Sequence, residues 1–391
     1  MRRSIDASKI FDYLEANGWT STDRISKADI IIIYACGGFH FSALRSFKTI
    51  ERALAQKKNN TKVIVTGCLL KIDPSAVEAL EGIDVIPEDR LYDNLDTFIQ
   101  AEKSLTQFPD VNAFRKIRNL DDYSLAWKFF YRFTPHAAFF KSLPMLLVKR
   151  IQNRKISSYV LADDLFKIDI SRGCLGNCTY CAMKFASGKL RSKSPEKIVE
   201  EFKKGLDLGF DRFVFICHEL GCYGRDRGSS FADLLTEIFK EKRPFKLVLN
   251  DFNIQWLVKD EELMRLLVKN RDKIAEIRMP IQTGSNKVLR LMNRHYTKEG
   301  IRSVLKQLNE KMPEVEIHTH FIVGFPGETP SDFLDTKRLI RDFKFTKIDV
   351  FCYQDRPGIK STLLPDKIST KVKIKRAQEL AGLGNYIDLN Y

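Results

Sequence analysis

The sequence predicts an α/β protein with parallel sheets: a small N-terminal strand–helix domain followed by six βα units forming a barrel or part-barrel. Three observations carry this. Apolar runs of strand length, rich in Ile, Val and Phe, recur along the chain as they do in strands buried on both faces. Each run is followed by a segment of helical periodicity, the order that produces crossovers and a parallel sheet. From residue 166 the alternation runs through six strands in succession.

At 391 residues the chain can bury more than one core, and two domains or three are expected. A hydrophobic content of 44% and a charged content of 29% are those of an ordinary globular protein. The longest apolar runs, such as DIIIIYA and SLPMLLV, fall short of a transmembrane segment, and the charged, amphipathic start is no signal peptide. A cytoplasmic location is therefore expected. The net charge of +15 favours a polyanionic partner such as RNA, although a merely soluble basic protein accounts for it equally well. Eight cysteines in a large cytosolic chain point to metal binding or catalysis before disulfides.

In chain order, a helix is predicted from Asp6, with Ile10, Phe11, Leu14 and Trp19 at helical spacing and Gly18 at its end. Strands follow at 30–35, at 62–68 and at 83–87, with helical sequence after each. Residues 101–165 break the pattern. Between Ala113 and Lys155 ten Lys and Arg stand against two Asp, among aromatics such as Trp127, Phe129 and Tyr131. So long a connection has a role of its own or is disordered, and the aromatics argue against disorder. From Phe166, FKIDISR, RFVFIC, FKLVLND, IAEIRMPIQ, EIHTHFIVG and KIDVFCYQ read as strands separated by helices, one of which opens on Ser194-Pro195 as N-cap and first residue. Barrel chemistry sits at the C-terminal ends of such strands. After residue 360 only a helix, TKVKIKRAQELAGLG, and a short tail are expected.

Directly after the first barrel strand stands SRGCLGNCTYC, which places Cys174, Cys178 and Cys181 in one tight loop. Three thiolates within eight residues can wrap one corner of an iron–sulfur cube, with Gly173 and Gly176 allowing the close turn. Zinc would normally need a fourth nearby Cys or His, which the loop lacks, and a ferredoxin-type cluster a fourth cysteine. Three ligands leave one iron open to a substrate or cofactor.

With this C-x3-C-x2-C loop the chain resembles the radical S-adenosylmethionine (SAM) superfamily. Five further stretches, GKLRSKSPEKIVEE (188–201), CYGRDRG (222–228), RMPIQTGSNKVLRLMNRHYT (278–297), HFIVGFPGETPSDFLDT (320–336) and YQDRPG (353–358), resemble the methylthiotransferases of that superfamily, enzymes of tRNA and ribosomal protein. YACGGF and IVTGCL resemble the family's N-terminal domain. The resemblance implies a flavodoxin-like domain over residues 1–100, an insert over 101–165, a radical SAM (β/α)6 partial TIM barrel over 166–360 and a C-terminal helix and tail over 361–391. It also implies a transferase that cleaves SAM at a [4Fe–4S] cluster on Cys174, Cys178 and Cys181 and inserts sulfur, as a methylthio group, into an unactivated C–H bond of an RNA, protein or peptide. A second iron–sulfur cluster in the N-terminal domain would carry the inserted sulfur, and a flavodoxin- or ferredoxin-type donor would supply electrons.

Of the three N-terminal cluster cysteines the resemblance implies, Cys36 and Cys68 match the second and third. The first would fall immediately ahead of Met1, six places before Asp6, so the expectation is a chain entered at an internal methionine. Gln282, Gly284 and Ser285 after the fourth barrel strand, Gly324 at the end of the fifth and Arg191 near the cysteine loop are the expected SAM-site residues; no catalytic residue is assigned. His218 and Glu219 would shape the pocket or serve as a polar rim, and His318 and His320 would line a strand-end pocket before forming a metal pair. Cys217, Cys222 and Cys352 read as core residues. The small β-barrel TRAM domain that ends most family members has no counterpart in the sequence, which leaves the basic insert as the candidate substrate contact. Two other readings remain open: radical SAM modification of a peptide-derived natural product, and a non-catalytic iron–sulfur protein.

Overall fold

The computed structural model describes residues 2–38, 40–87, 91–108, 165–383 and 387–390. The basic, aromatic stretch expected to contact substrate lies almost wholly outside them. In the N-terminal part, helix α1 (Arg2–Ala16) begins four residues earlier than its sequence pattern indicates. Strands β1 (Ile30–Tyr34), β2 (Lys62–Thr66) and β3 (Asp84–Val85) form one parallel sheet in that order, with Ile32 opposite Ile64. The third strand is shorter than the apolar run 83–87 suggested.

Helices cover both faces of this sheet, which is why its strands carry no polar alternation. On one face Ile10 and Tyr13 of α1 pack with Ile64, Ile86, Leu95 and Leu105. On the other, α2 (His40–Gln56), α3 (Leu69–Ile72) and α4 (Pro74–Glu78) supply Ile50, Leu69 and Val77 against Ile33, Val63 and Val65. Helix α5 (Leu91–Ile99) completes this part.

Seven parallel strands make the second sheet, in the order β12-β11-β10-β9-β8-β7-β4. These are β4 (Leu165–Asp169), β7 (Arg212–Ile216), β8 (Lys246–Leu249), β9 (Ile274–Gln282), β10 (Glu316–Val323), β11 (Lys347–Cys352) and β12 (Ile387–Asn390). Between the first two, β5 (Ser171–Arg172) and β6 (Arg191–Ser192) pair as an antiparallel ribbon around the cysteine loop. The six anticipated strands are all present. The seventh was not anticipated: β12 extends the sheet parallel to β11 where the sequence suggested only a tail, because IDLN is too short to carry a period.

Along the chain the helices are α6 (Met183–Ser187), α7 (Pro195–Asp207), α8 (Phe231–Phe239), α9 (Gln255–Lys259), α10 (Glu261–Lys269), α11 (Asn286–Leu291), α12 (Lys298–Lys311), α13 (Pro330–Asp342) and α14 (Thr370–Ala381). The longer ones pack an apolar face on the outer side of the sheet, where Phe166, Phe213, Phe215, Phe202 and Leu234 anchor the main core. Serine and threonine caps start them where the sequence indicates: the Ser194 hydroxyl accepts from Lys197 N, and Ser230 with Asp233 and Thr329 with Asp332 form capping boxes.

The packing of α7 on β4 and β7 is tight enough to test. A Cβ on Gly205 would lie 2.6 Å from the Phe213 ring and 2.9 Å from the Phe166 ring. Gly205→Ala, despite its better helix propensity, is expected to lower stability by about 1–3 kcal/mol through overpacking. Urea unfolding measures this, and an unchanged midpoint would contradict it.

Candidate functional site

The first barrel strand ends at Asp169, and the chain then turns through Gly173 at φ +89°. A Cβ there would lie 2.3 Å from the Lys189 carbonyl oxygen, so only glycine allows the β5–β6 ribbon to close beneath the loop. The Gly173 amide donates to His218 Nδ1 at 3.3 Å, giving that histidine a positioning contact at the end of β7. On the far side the loop is tied to the turn after α11. Thr179 N donates to Met292 O at 3.1 Å, Thr179 Oγ1 to Leu291 O at 2.8 Å, and Asn293 Nδ2 to Asn177 O at 2.9 Å. Arg294 donates to the Tyr180 hydroxyl from Nε at 3.1 Å and from Nη2 at 2.7 Å. The loop between the cysteines is therefore fixed by bonds from outside it.

All three cysteines of the loop open on one cavity of about 580 Å³. Cys174 Sγ and Cys178 Sγ lie 3.2 and 3.7 Å from the place a Cβ on Gly176 would occupy, and Gly176 N donates to Cys174 Sγ at 3.1 Å. The three sulfurs do not all approach within 4.8 Å of one another. A single tetrahedral zinc ion would draw them to roughly 3.8 Å, whereas a multi-iron cluster spreads its thiolates wider. Donor type and number thus fit the corner of an iron–sulfur cluster. The Cys222 thiol beside Cys174 holds the Cys174 thiol below its ordinary value, while burial pushes Cys181 up.

Cys36 and Cys68 line the same cavity from the N-terminal sheet. Each follows a parallel strand of the first sheet, and their loops are packed together: Gly37 N donates to Cys68 Sγ at 3.2 Å, and Cys36 N to Ser46 Oγ at 2.7 Å. Gly67, at φ +104°, has no room for a side chain, since a Cβ would stand 2.6 Å from Ala35 O. Met183, two residues beyond Cys181, reaches this pair, its Sδ lying 3.2 Å from a Cβ placed on Gly38. Two further contacts join the sheets: Arg172 Nη2 with Asp6 Oδ1 at 3.2 Å, and Arg356 Nη2 donating to Gly37 O.

Of the residues expected to hold SAM, Gln282 lines the cavity, at the last position of β9 and in the left-handed region at φ +77°. Gly284, Ser285, Gly324 and Arg191 lie outside the cavity lining. Gly284 N donates to Thr336 Oγ1, and Ser285 caps α11 and donates to Asp332 Oδ1 at 2.6 Å. Gly324 N donates to the buried Glu328, and Arg191 is exposed on β6. Gly284, Ser285 and Gly324 thus stand in the turns that follow β9 and β10, and Arg191 on the ribbon around the cysteine loop.

The histidines separate. His320, with Nε2 3.3 Å from Asp349 Oδ2, lines the cavity, while His318 lies deeper with Nδ1 2.7 Å from Glu276 Oε1. Cys217 belongs to the main core, as expected, and Cys352 packs against it; at their strand ends both also border the cavity. Glu219 is a buried hub that accepts from Gly221 N at 2.9 Å, Trp256 Nε1 at 2.8 Å and the Cys222 thiol at 2.7 Å; burial pushes its carboxyl up. Asp251, Arg294 and Arg356 also reach the cavity without having been singled out as site residues. The available signal was position, since each follows a strand or helix end on the cavity side.

A parallel part-barrel with a three-thiol loop at the C-terminal end of its first strand defines a radical SAM protein. Residues 168–340 match the radical SAM superfamily model, and residues 3–87 match the uncharacterized protein family UPF0004. A probable threonylcarbamoyladenosine tRNA methylthiotransferase of Pyrococcus abyssi is 31% identical over 85% of this chain and 69% of its own length. A ribosomal protein uS12 methylthiotransferase of Protochlamydia amoebophila is 26% identical over 97% of this chain and 73% of its own. Among solved structures, the radical SAM methyltransferase TsrM of Kitasatospora setae shares the fold at a TM-score of 0.56 and 14% identity, over 92% of this chain and 67% of that one. The chain belongs to the radical SAM methylthiotransferase family and is an enzyme, a transferase. A [4Fe–4S] cluster and SAM are its cofactors. Among the described residues, no helix is long and apolar enough to cross a membrane.

Below the cavity, Glu276 is buried between His318 and Arg278. Burial alone would raise its carboxyl, but the hydrogen bonds from His318 and Arg278 override it and hold it down at about 2, against 4.5 for the free group. In that interval the unfolded chain binds a proton that the folded chain refuses, so stability is full above about pH 4.5 and is lost as pH falls toward 2. The expected loss is about 3 kcal/mol. Denaturant unfolding across that range should show Glu276→Gln less stable than wild type at neutral pH and converging with it near pH 2. Parallel curves would contradict the assignment.

Proposed function

We propose that this chain installs a methylthio group on an unactivated C–H bond of a tRNA nucleoside. The carrying observation is that Cys174, Cys178 and Cys181 of one sheet and Cys36 and Cys68 of the other line a single cavity. In this reading the loop trio ligates the [4Fe–4S] cluster, and Cys36 with Cys68 holds a second, sulfur-bearing iron site. When bound, the cluster and SAM supply the radical chemistry that opens the C–H bond.

The chain's own residues do the rest. Asn177, Thr179 and Tyr180, fixed from the 291–294 turn, orient the loop cysteines. Gln282, Asn250, Asn253 and Asp251 offer polar atoms along the wall to SAM and substrate, and Ile216, Ile322 and Phe351 keep it apolar between them. Both cysteine sets open on the cavity where the substrate atom would be held, an arrangement whose contribution is orientation. tRNA is favoured over a ribosomal protein because two similar relatives are tRNA enzymes and the chain is strongly basic. In this reading residues 1–100 are the sulfur-donor unit, 101–165 an insert whose basic, aromatic composition suits substrate contact, and 166–360 the radical SAM core, in the cytoplasm with a flavodoxin- or ferredoxin-type donor.

Anaerobically reconstituted protein with dithionite and SAM should release 5′-deoxyadenosine; none would remove the enzymatic reading. Iron and sulfide should approach about eight atoms each per chain, falling to about four in Cys36→Ala with Cys68→Ala. Unchanged content in that double variant would remove the second iron site. Comparing tRNA nucleosides from cells with and without the gene should reveal a methylthio increment, and an increment found only in a ribosomal protein would transfer the substrate to that class.

A further inference from the structure

Arg356 lies in the loop after β11, yet its guanidinium crosses to the N-terminal sheet. Nη2 donates to Gly37 O, between the two N-terminal cysteines. Nη1 is buried and has no hydrogen-bond partner among the described residues. A guanidinium carries five donors and no acceptor, so a buried N–H of this kind is satisfied only by an acceptor that binds there. The charged or ionisable groups facing it are Asp73, Cys36 and Cys68. Asp73 is already committed as the N-cap of α4, accepting from Ala76 N. The backbone holding the arginine is itself fixed, since Thr362 Oγ1 donates to Arg356 O at 3.0 Å.

We propose that Arg356 is a positioning residue whose unpaired Nη1 holds an anionic sulfur atom, a sulfide or hydrosulfide, at the Cys36–Cys68 site. The inference rests on the reading of that pair as the sulfur-bearing site. A fixed cation in a partly desolvated wall stabilises the anion by a charge-assisted hydrogen bond and sets its direction toward the cavity. Lysine would supply charge without the fork that bonds Gly37 and the sulfur together.

The test uses the full chain, reconstituted anaerobically and titrated with sodium hydrosulfide while the reduced protein is followed by electron paramagnetic resonance. Arg356→Met should keep the iron content of the wild type and shift the hydrosulfide midpoint upward by about tenfold. A shift of less than twofold overturns the proposal. If Arg356→Met loses iron, the midpoint is read instead in Arg356→Gln, which keeps an N–H but no charge. There a rise beyond twofold supports the role, and anything less overturns it. A hydrosulfide response that persists in the Cys36→Ala, Cys68→Ala double variant overturns the sulfur-site reading itself, whatever Arg356 does.

Discussion

Three thiols on one short loop face a common point only if the backbone between them is held from outside, because nothing within the loop opposes its many alternative turns. Here the restraint comes from the 291–294 turn on one side and the β5–β6 ribbon on the other. Thr179 bonds that turn with both backbone and side chain, and its carbonyl accepts from Ser361 N. Asn293 adopts a left-handed φ of +57° to bring its amide to Asn177 O. These ties come from parts of the chain more than a hundred residues away, so the loop takes its shape only when the barrel has closed around it. The neighbouring 282–285 stretch behaves in the same way. Gly284 and Ser285 hold α11 against α13 through Thr336 and Asp332.

A second constraint sets the two sheets in register. Ile72 of α3 packs with Ala182 and Ile359, and Cys68, Met183 and Ala186 border that cluster. An apolar contact of this kind fixes distance but not direction. Direction comes from the polar pairs at its margins, Asp6 with Arg172 and Gly37 with Arg356. The first helix of the chain therefore helps to orient the sheets. Its Asp6 is buried against the barrel's own Arg172, which also lies 3.6 Å from Asp169 at the end of β4. Residues far apart in the sequence thus determine how the two cysteine sets come to share one cavity.

Much of this was legible in the sequence. The six strands β4 and β7 to β11 appear as apolar runs because both faces of a parallel sheet are covered, and the C-x3-C-x2-C loop names its own chemistry. Cys36 and Cys68 were legible as strand-end residues converging at one sheet edge. What escaped was whatever depends on three-dimensional approach. A strand end reveals which residues are near a site, but not whether a side chain turns toward the cavity or into the supporting turns. Gln282 faces the cavity, whereas Gly284 and Ser285, two and three residues on, do not. That Cys217 and Cys352 border the cavity as well as the core was not legible from the apolar strand before each, and Arg356 was hidden in a turn sequence although it bridges the sheets. β12 has four residues and is recognised only by its pairing with β11.

The inner face of the part-barrel explains why charged residues can occupy strands that otherwise read as core. Leu165, Val214, Ile216 and Val248 form a small apolar patch on that face, but β9, β10 and β11 turn Glu276, Arg278, His318, His320 and Asp349 toward the interior. Such groups are tolerable because they are partnered: Glu276 takes His318 Nδ1 at 2.7 Å from the adjacent strand and Arg278 from its own, and His320 Nε2 lies 3.3 Å from Asp349 Oδ2 on the next strand. Pairing converts isolated buried charges, which would be strongly unfavourable, into a network whose geometry is fixed by the sheet register. Removing one partner would leave the others uncompensated, so the floor resists rearrangement. A rigid, charged floor beneath an apolar and thiol-lined cavity keeps the reacting space in a fixed shape. Asp251 and Gln282, both held at a left-handed φ, sit where floor and cavity meet, and the strain at each is sustained by the packed strands around it.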